Sequence, residues 1–285
     1  MTDDRKRLLE LNRQQKAYYE SRFEADGADE RAANAVTNAW TRLRRRIQAH
    51  DRSIGTVDRI LADHRSWLGD LSQSSVLDLG CFAGNDLSVW LAGQSGEYLG
   101  MDLSESAIDA LREKLDAEMP HANARVQAGD FLANDLPDAS FDVIYAHSVL
   151  HHFENIELVL EEMHRVLKPG GVIVSLDPLS TEPLIRMVRA AYRPFQSDRD
   201  WEWPFTLATI RGIDRWFRID RIQGYRGFSM LGLPLAMLPF MRGPARGLGR
   251  LGLRLERRFA NRRGPGLWLC WMVAMRLEKR GAEPR

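Results

Sequence analysis

Cysteine is nearly absent, with only Cys81 and Cys270 in 285 residues. Two thiols cannot build a disulfide framework, and their scarcity fits a reducing compartment, so a cytoplasmic protein is expected. An excess charge of either sign is also missing. Forty Lys and Arg meet 39 Asp and Glu, for a net charge of +1. That balance supplies no whole-chain field for DNA or RNA. Long apolar runs are lacking too: the longest uncharged stretches are 227–241 and 264–275. Both fall short of the ~18 apolar residues a membrane span needs, and the first is broken by Pro234 and Pro239. The N-terminal "MTDDRKRLLELNRQQ" is charged without an apolar centre and does not read as a secretory signal. No Cys/His cluster has metal-ligand spacing, so no metal is expected. No internal repeat is visible.

What the chain has is a change of period along its length. Residues 1–70 are runs of helix formers with few breakers, apolar at spacings of three and four (Val36, Trp40, Leu43, Ile47). They are expected to form a helical cap. From 71 to 179, "SSVLDLG", "YLGMDL", "ARVQAGD", "FDVIYAHS" and "GVIVSLD" read as strands. Between them "NDLSVWLAGQ", "SESAIDALREKLDAE" and "IELVLEEMHRVLK" read as helices, with Ser104 as an N-cap and Pro169-Gly170-Gly171 as a stop. Alternation of this kind predicts an α/β fold with a parallel sheet and right-handed crossovers. Residues 180–265 are expected to be a lid or insertion that selects the substrate, with a sixth strand near 217–224. Residues 266–285 are expected to supply the last strand and a tail.

The segment Val76–Asp86, "VLDLGCFAGND", lies between a strand and a helix. Gly80 and Gly84 let the backbone turn sharply and approach a ligand. The helix N-terminus that follows favours an anion. In an open parallel sheet such ligands sit at the carboxyl ends of the strands. Asp102, eighteen residues beyond Gly84, closes the second strand, where a carboxylate can accept hydrogen bonds from both ribose hydroxyls. A dinucleotide loop, G-x-G-x-x-G, is a poor match, because Phe82 and Asn85 stand where its second and third glycines belong.

An acid two positions before the first glycine fits better: Asp78-Leu79-Gly80-Cys81-x-x-Gly84. With "GMDLS", "AGDF", "FDVIYAHSVLHHF" and "EEMHRVLKPGGVIVSLDP" in order behind it, the chain resembles the class I S-adenosylmethionine-dependent methyltransferases over roughly residues 74–179. The resemblance implies a Rossmann-like, mostly parallel seven-stranded sheet with helices on both faces. It implies S-adenosylmethionine as cofactor, held by the loop residues Asp78, Gly80, Cys81, Phe82 and Gly84. Asp102, with Leu103 beside it, would hold the ribose. Asp130 would meet the adenine amino group, Phe131 would flank the ring, and His147 would border the cofactor. In similar enzymes an N-terminal helix with paired aromatics covers the cofactor, a role for Tyr19 beside Tyr18. Phe82 departs from the family, which usually has glycine there. At positive φ it would cost ~1–2 kcal/mol; at negative φ its ring could flank the methionine tail.

Methyl transfer from a sulfonium is an in-line displacement, so the protein must align the acceptor and, for a hydroxyl, remove its proton. His151 and His152 in "HSVLHHF" are candidate bases, since imidazole titrates near neutral pH. The same loop lacks the Asp/Asn-Pro-Pro-aromatic sequence of the family's adenine and cytosine-N4 branch and the Pro-Cys of its pyrimidine C5 branch. It looks like the branch acting on small molecules and lipids. The expected function is methyl transfer to a small or lipid-like acceptor, at oxygen first, then nitrogen or carbon. Two alternatives stand beside it. One is a protein of this fold that binds the cofactor without methylating, or catalyses another rearrangement. The other is an RNA or protein methyltransferase.

Outside the core, Arg193, Trp201 and Trp203 are expected at the mouth of the pocket, Arg193 being suited to a carboxylate or phosphate. Arg242, Arg246, Arg250, Arg254 and Arg258 are spaced four apart and would form one basic ridge on a helix. The glycines among them cost roughly 1 kcal/mol each relative to alanine. Residues 227–263 therefore read either as a lid over the site or as a peripheral contact with an anionic membrane surface.

Overall fold

The computed structural model describes residues 3–24, 35–181, 201–261 and 265–280, together with 186, 187 and 190. Seven strands form one sheet: β1 (Ser75–Leu79), β2 (Glu97–Asp102), β3 (Ala124–Ala128), β4 (Phe141–His147), β5 (Leu167–Pro178), β6 (Phe217–Tyr225) and β7 (Met272–Lys279). Their order is β3-β2-β1-β4-β5-β7-β6. The first five run parallel, and β7 lies antiparallel between β5 and β6.

The inner strands are apolar on both faces because both faces are covered. Leu77, Leu79, Ile144, Ile173 and Met275 join one core with α6 (Ile156–Val166). The alternate residues Val76, Val143, Tyr145 and Val174 join the other with α3 (Thr56–Leu68) and α4 (Asp86–Gln94). The chain leaves β1 for β2 on one side and returns to β4 on the other. This reversal opens a crevice at the carboxyl ends of β1, β2 and β4.

Caps mark the helix starts. Ser104 caps α5 (Glu105–Glu118) as expected, its hydroxyl accepting from the Ala107 N–H. Asn85 caps α4: its Oδ1 accepts from the N–H groups of Leu87 at 2.8 Å and Ser88 at 3.1 Å. This corrects the expectation of an anion at that helix N-terminus, since Asn85 already takes those amides.

Two further helices, α1 (Asp3–Glu24) and α2 (Ala35–Ile54), precede α3. Near the other end, Arg242–Phe259 is helical despite its glycines. A Cβ on Gly252 would stand 2.3 Å from the Phe228 carbonyl oxygen, and one on Gly249 2.9 Å from Ile54 Cγ2. Close packing on Phe228 and α2 thus offsets the low helix propensity of glycine.

Candidate active site

A cavity of about 240 Å³ occupies the crevice. Its walls come from α1 (Asn12, Gln15, Tyr19), the loop after β1 (Gly80, Phe82), the end of β2 (Asp102, Leu103), Gly129–Phe131, and the segment after β4 (His147–Val149, His152, Phe153).

The loop after β1 needs glycine twice. Gly80 and Gly84 have φ of +68° and +74°. Their Cβ atoms would lie 2.3 Å from Val149 Cγ2 and 2.5 Å from Leu111 Cδ1. Between them Phe82 adopts a φ of +47°, a conformation costing ~1–2 kcal/mol for a residue with a side chain. Its N–H donates to Asp102 Oδ2 at 2.9 Å, which holds the strained backbone. The ring walls the cavity rather than filling it: it is 37% exposed, with its centroid 6.3 Å from the Tyr19 ring.

Asp102 also accepts the Ser104 N–H at 3.0 Å. Burial pushes its pKa up, and the amide hydrogen bonds pull part of the way back. Asp130 is gripped from α1. Asn12 Nδ2 donates to its two carboxylate oxygens at 2.9 and 3.0 Å, and the Leu132 N–H adds a third bond at 2.9 Å. Burial raises this carboxyl too, while Asn12 and Leu132 oppose the shift. Phe131 is buried beside it. His147 lines the wall with Nδ1 3.4 Å from Asn85 Nδ2, and burial lowers its pKa. More of α1 is tied down by polar bonds: Arg5 to the Leu132 carbonyl at 2.6 Å, Gln15 to the His152 carbonyl at 3.1 Å, and Glu20 to the Ser106 hydroxyl.

Asn12 and Gln15 were not expected from the sequence. They belong to no motif, and the available signal was the spacing of Asn12, Gln15 and Tyr19 along one helix face.

Asp78, Cys81 and Gly84 stand behind the loop and do not line the cavity. Asp78 is buried, accepts the Tyr98 hydroxyl at 2.9 Å, and is pushed up to about 6 by burial. Cys81 is also buried, which raises its thiol pKa well above the ordinary value. A carboxyl raised from 3.8 to about 6 stabilises the fold while protonated and loses that contribution as pH rises through this window. Asp78→Asn keeps an acceptor for Tyr98 and removes the ionisation. Its stability relative to wild type should rise by roughly 2–3 kcal/mol between pH 4 and pH 7.5, read by urea denaturation at both pH values. A difference independent of pH would refute this account of Asp78.

The two candidate histidines part company. His151 is buried outside the cavity wall, with Nδ1 3.0 Å from Asp177 Oδ1, and its N–H donates to the same oxygen at 3.1 Å. His152 faces the cavity. Its Nδ1 lies 2.8 Å from the Trp201 carbonyl oxygen, which can only accept, so Nδ1 carries the proton. The neutral ring then has its lone pair on Nε2, 3.4 Å from the Tyr19 hydroxyl.

Trp201 and Trp203 were expected at the mouth of the pocket, and neither is among the residues that line the cavity. They contribute backbone instead. The Trp201 carbonyl orients His152, and the Trp203 N–H donates to the His151 carbonyl at 2.7 Å. The Trp201 ring packs 5.5 Å from that of Tyr18. Arg193 lies outside the described residues. No residue of 227–260 lines the cavity. Among the described residues no group of three His, Cys, Asp or Glu could hold a metal ion, and no helix is long and apolar enough to cross a membrane.

Residues 77–173 match a family model described as a methyltransferase domain. A demethylmenaquinone methyltransferase of Lactococcus lactis is 34% identical over 128 residues, which is 44% of this chain and 49% of that protein. The chain thus spans about half the length of this curated relative. Among solved structures, an S-adenosylmethionine-dependent methyltransferase from Mesorhizobium loti superposes with a TM-score of 0.51 at 18% identity, covering 75% of this chain and 95% of that one. The [4+2]-cyclase SpnF has the same fold, with a TM-score of 0.54 at 16% identity over 79% of this chain and 81% of its own.

Proposed function

We propose that this chain, whose residues 77–173 match a methyltransferase domain, is a class I S-adenosylmethionine-dependent methyltransferase that moves a methyl group to a hydroxyl oxygen of a small or lipid-like acceptor. The observation that carries the oxygen assignment is the tautomer of His152: with Nδ1–H on the Trp201 carbonyl, the accepting nitrogen Nε2 faces the cavity, 3.4 Å from the Tyr19 hydroxyl.

The chain's donor set fits the cofactor. Asp102 closes β2 with a carboxylate on the cavity wall, suited to two ribose hydroxyls. Asp130, steadied by Asn12, suits an exocyclic amine, and buried Phe131 suits the face of a purine ring. Gly80 and Phe82 wall the region left for the amino-acid end. When bound, S-adenosylmethionine supplies an electrophilic methyl group on a sulfonium.

The protein's own work is positional and protolytic. Tyr19, Phe82, Val149 and Phe153 give the acceptor a largely apolar wall beside His152. The acceptor hydroxyl loses its proton to His152 Nε2 as its oxygen becomes nucleophilic. The imidazolium so formed keeps its Nδ1–H on the Trp201 carbonyl, which holds the ring in place through the cycle. The relative's name, demethylmenaquinone methyltransferase, supports a quinone-like acceptor.

The test is incubation with methyl-labelled S-adenosylmethionine and a panel of phenols, quinols and aliphatic alcohols. Label in an ether product is expected. Cofactor binding by calorimetry with no label transferred to any class would favour binding without methylation. The cyclase of the same fold shows that architecture alone does not dictate the chemistry.

A further inference from the structure

We propose that the face built by residues 233–259 and α2 docks on an anionic lipid bilayer. The helix Arg242–Phe259 meets the rest of the protein through Ala245, Gly249, Gly252 and Glu256, which are buried. Its remaining surface carries two different stripes. Arg242, Arg246, Arg250 and Arg254 are exposed, and none has an ion-pair partner among the described residues. The helix's one acid, Glu256, does not neutralise them: it is buried and accepts the N–H groups of Gly227 and Ser229, both at 2.7 Å. Beside the arginines, Leu248, Leu251 and Phe259 are 36%, 48% and 41% exposed. A helix that packs by one face has no internal use for a second apolar stripe.

The turn before the helix adds a stronger sign. Phe240 is fully exposed, at 100%, and its φ is +62°. The backbone is therefore held in a conformation unfavourable for a phenylalanine, and the ring it presents gains no burial in return. Leu238 and Met241 next to it are 51% and 42% exposed. A groove of about 880 Å³ separates this turn from α2, with Arg46, Arg242 and Arg246 around Met237, Leu238 and Phe240.

Cations around an apolar tip complement one surface well. The tip enters the boundary between headgroups and acyl chains, and the arginines meet lipid phosphates. RNA would engage the arginines and leave Phe240, Leu238 and Met241 facing water. No residue of this face lines the active-site cavity, so lipid docking and methyl transfer use separate surfaces.

The experiment is flotation of the full chain with vesicles of phosphatidylcholine alone and of phosphatidylcholine mixed with phosphatidylglycerol. Binding to the anionic vesicles only, weakened by added salt, is expected. Phe240→Ser should weaken that binding roughly tenfold or more, as loss of one buried aromatic implies. The double variant Arg242→Gln/Arg246→Gln should weaken it by a similar factor, at about fivefold per basic residue. Both variants should keep wild-type cofactor affinity by calorimetry, which shows that they fold. Absence of flotation, or flotation on either vesicle that ignores both variants, overturns the proposal. So does a dimer in sedimentation that Phe240→Ser dissolves, or RNA binding, when either occurs without vesicle binding.

Discussion

Asp102→Ala should weaken S-adenosylmethionine binding by roughly 2–3 kcal/mol, about 30- to 150-fold in Kd by calorimetry. The carboxylate does two jobs at once. It faces the cavity where a ribose would lie, and it accepts the N–H groups of Phe82 and Ser104 at 2.9 and 3.0 Å. Alanine removes the ribose acceptor and also releases Phe82, whose positive φ is held by that bond. Asp102→Asn keeps one side-chain oxygen and should fall between wild type and alanine. Burial raises the Asp102 pKa, so its protonation begins at a higher pH than for a free aspartate. Protonation removes an acceptor from the ribose, and cofactor affinity should decline on acidification from above the usual carboxylate range. In Asp102→Asn that decline should be absent. A Kd for the alanine variant within about threefold of wild type would remove Asp102 from the site.

His152→Gln should lower kcat by about 10²- to 10⁴-fold, the range for losing a general base, and leave cofactor affinity unchanged. The acid limb of the kcat profile should vanish with it. His151→Gln is the contrasting case. His151 sits outside the cavity wall and pairs with the fully buried Asp177. Its loss should appear first in stability, because it leaves a buried carboxylate short of a donor. Full turnover in His152→Gln would mean that catalysis is by alignment alone.

The strands, the Ser104 cap and the glycine loop were legible because each is a local demand. Strand period and apolar content, a hydroxyl before a helix, and a residue that tolerates positive φ can all be read within a few positions. The alternatives for Phe82 could be framed from the loop, but its φ could not be read from it. The backbone there is decided by Asp102, twenty residues on.

The amino-acid sequence by itself determined the parallel core, the order of its strands and helices, and the acids at the end of β2 and just after β3. Tertiary structure alone decided how the remaining residues are used. Which of two adjacent histidines faces the cavity depends on Asp177, 26 residues from one, and on the Trp201 carbonyl, 49 residues from the other. The grip of Asn12 on Asp130 crosses 118 positions. The arginine ridge lies away from the cavity because Gly249 and Gly252 seat its helix on α2 and Phe228. Secondary structure follows from neighbours in the chain, whereas the surroundings of a side chain are set by contacts between distant segments, which no local pattern records.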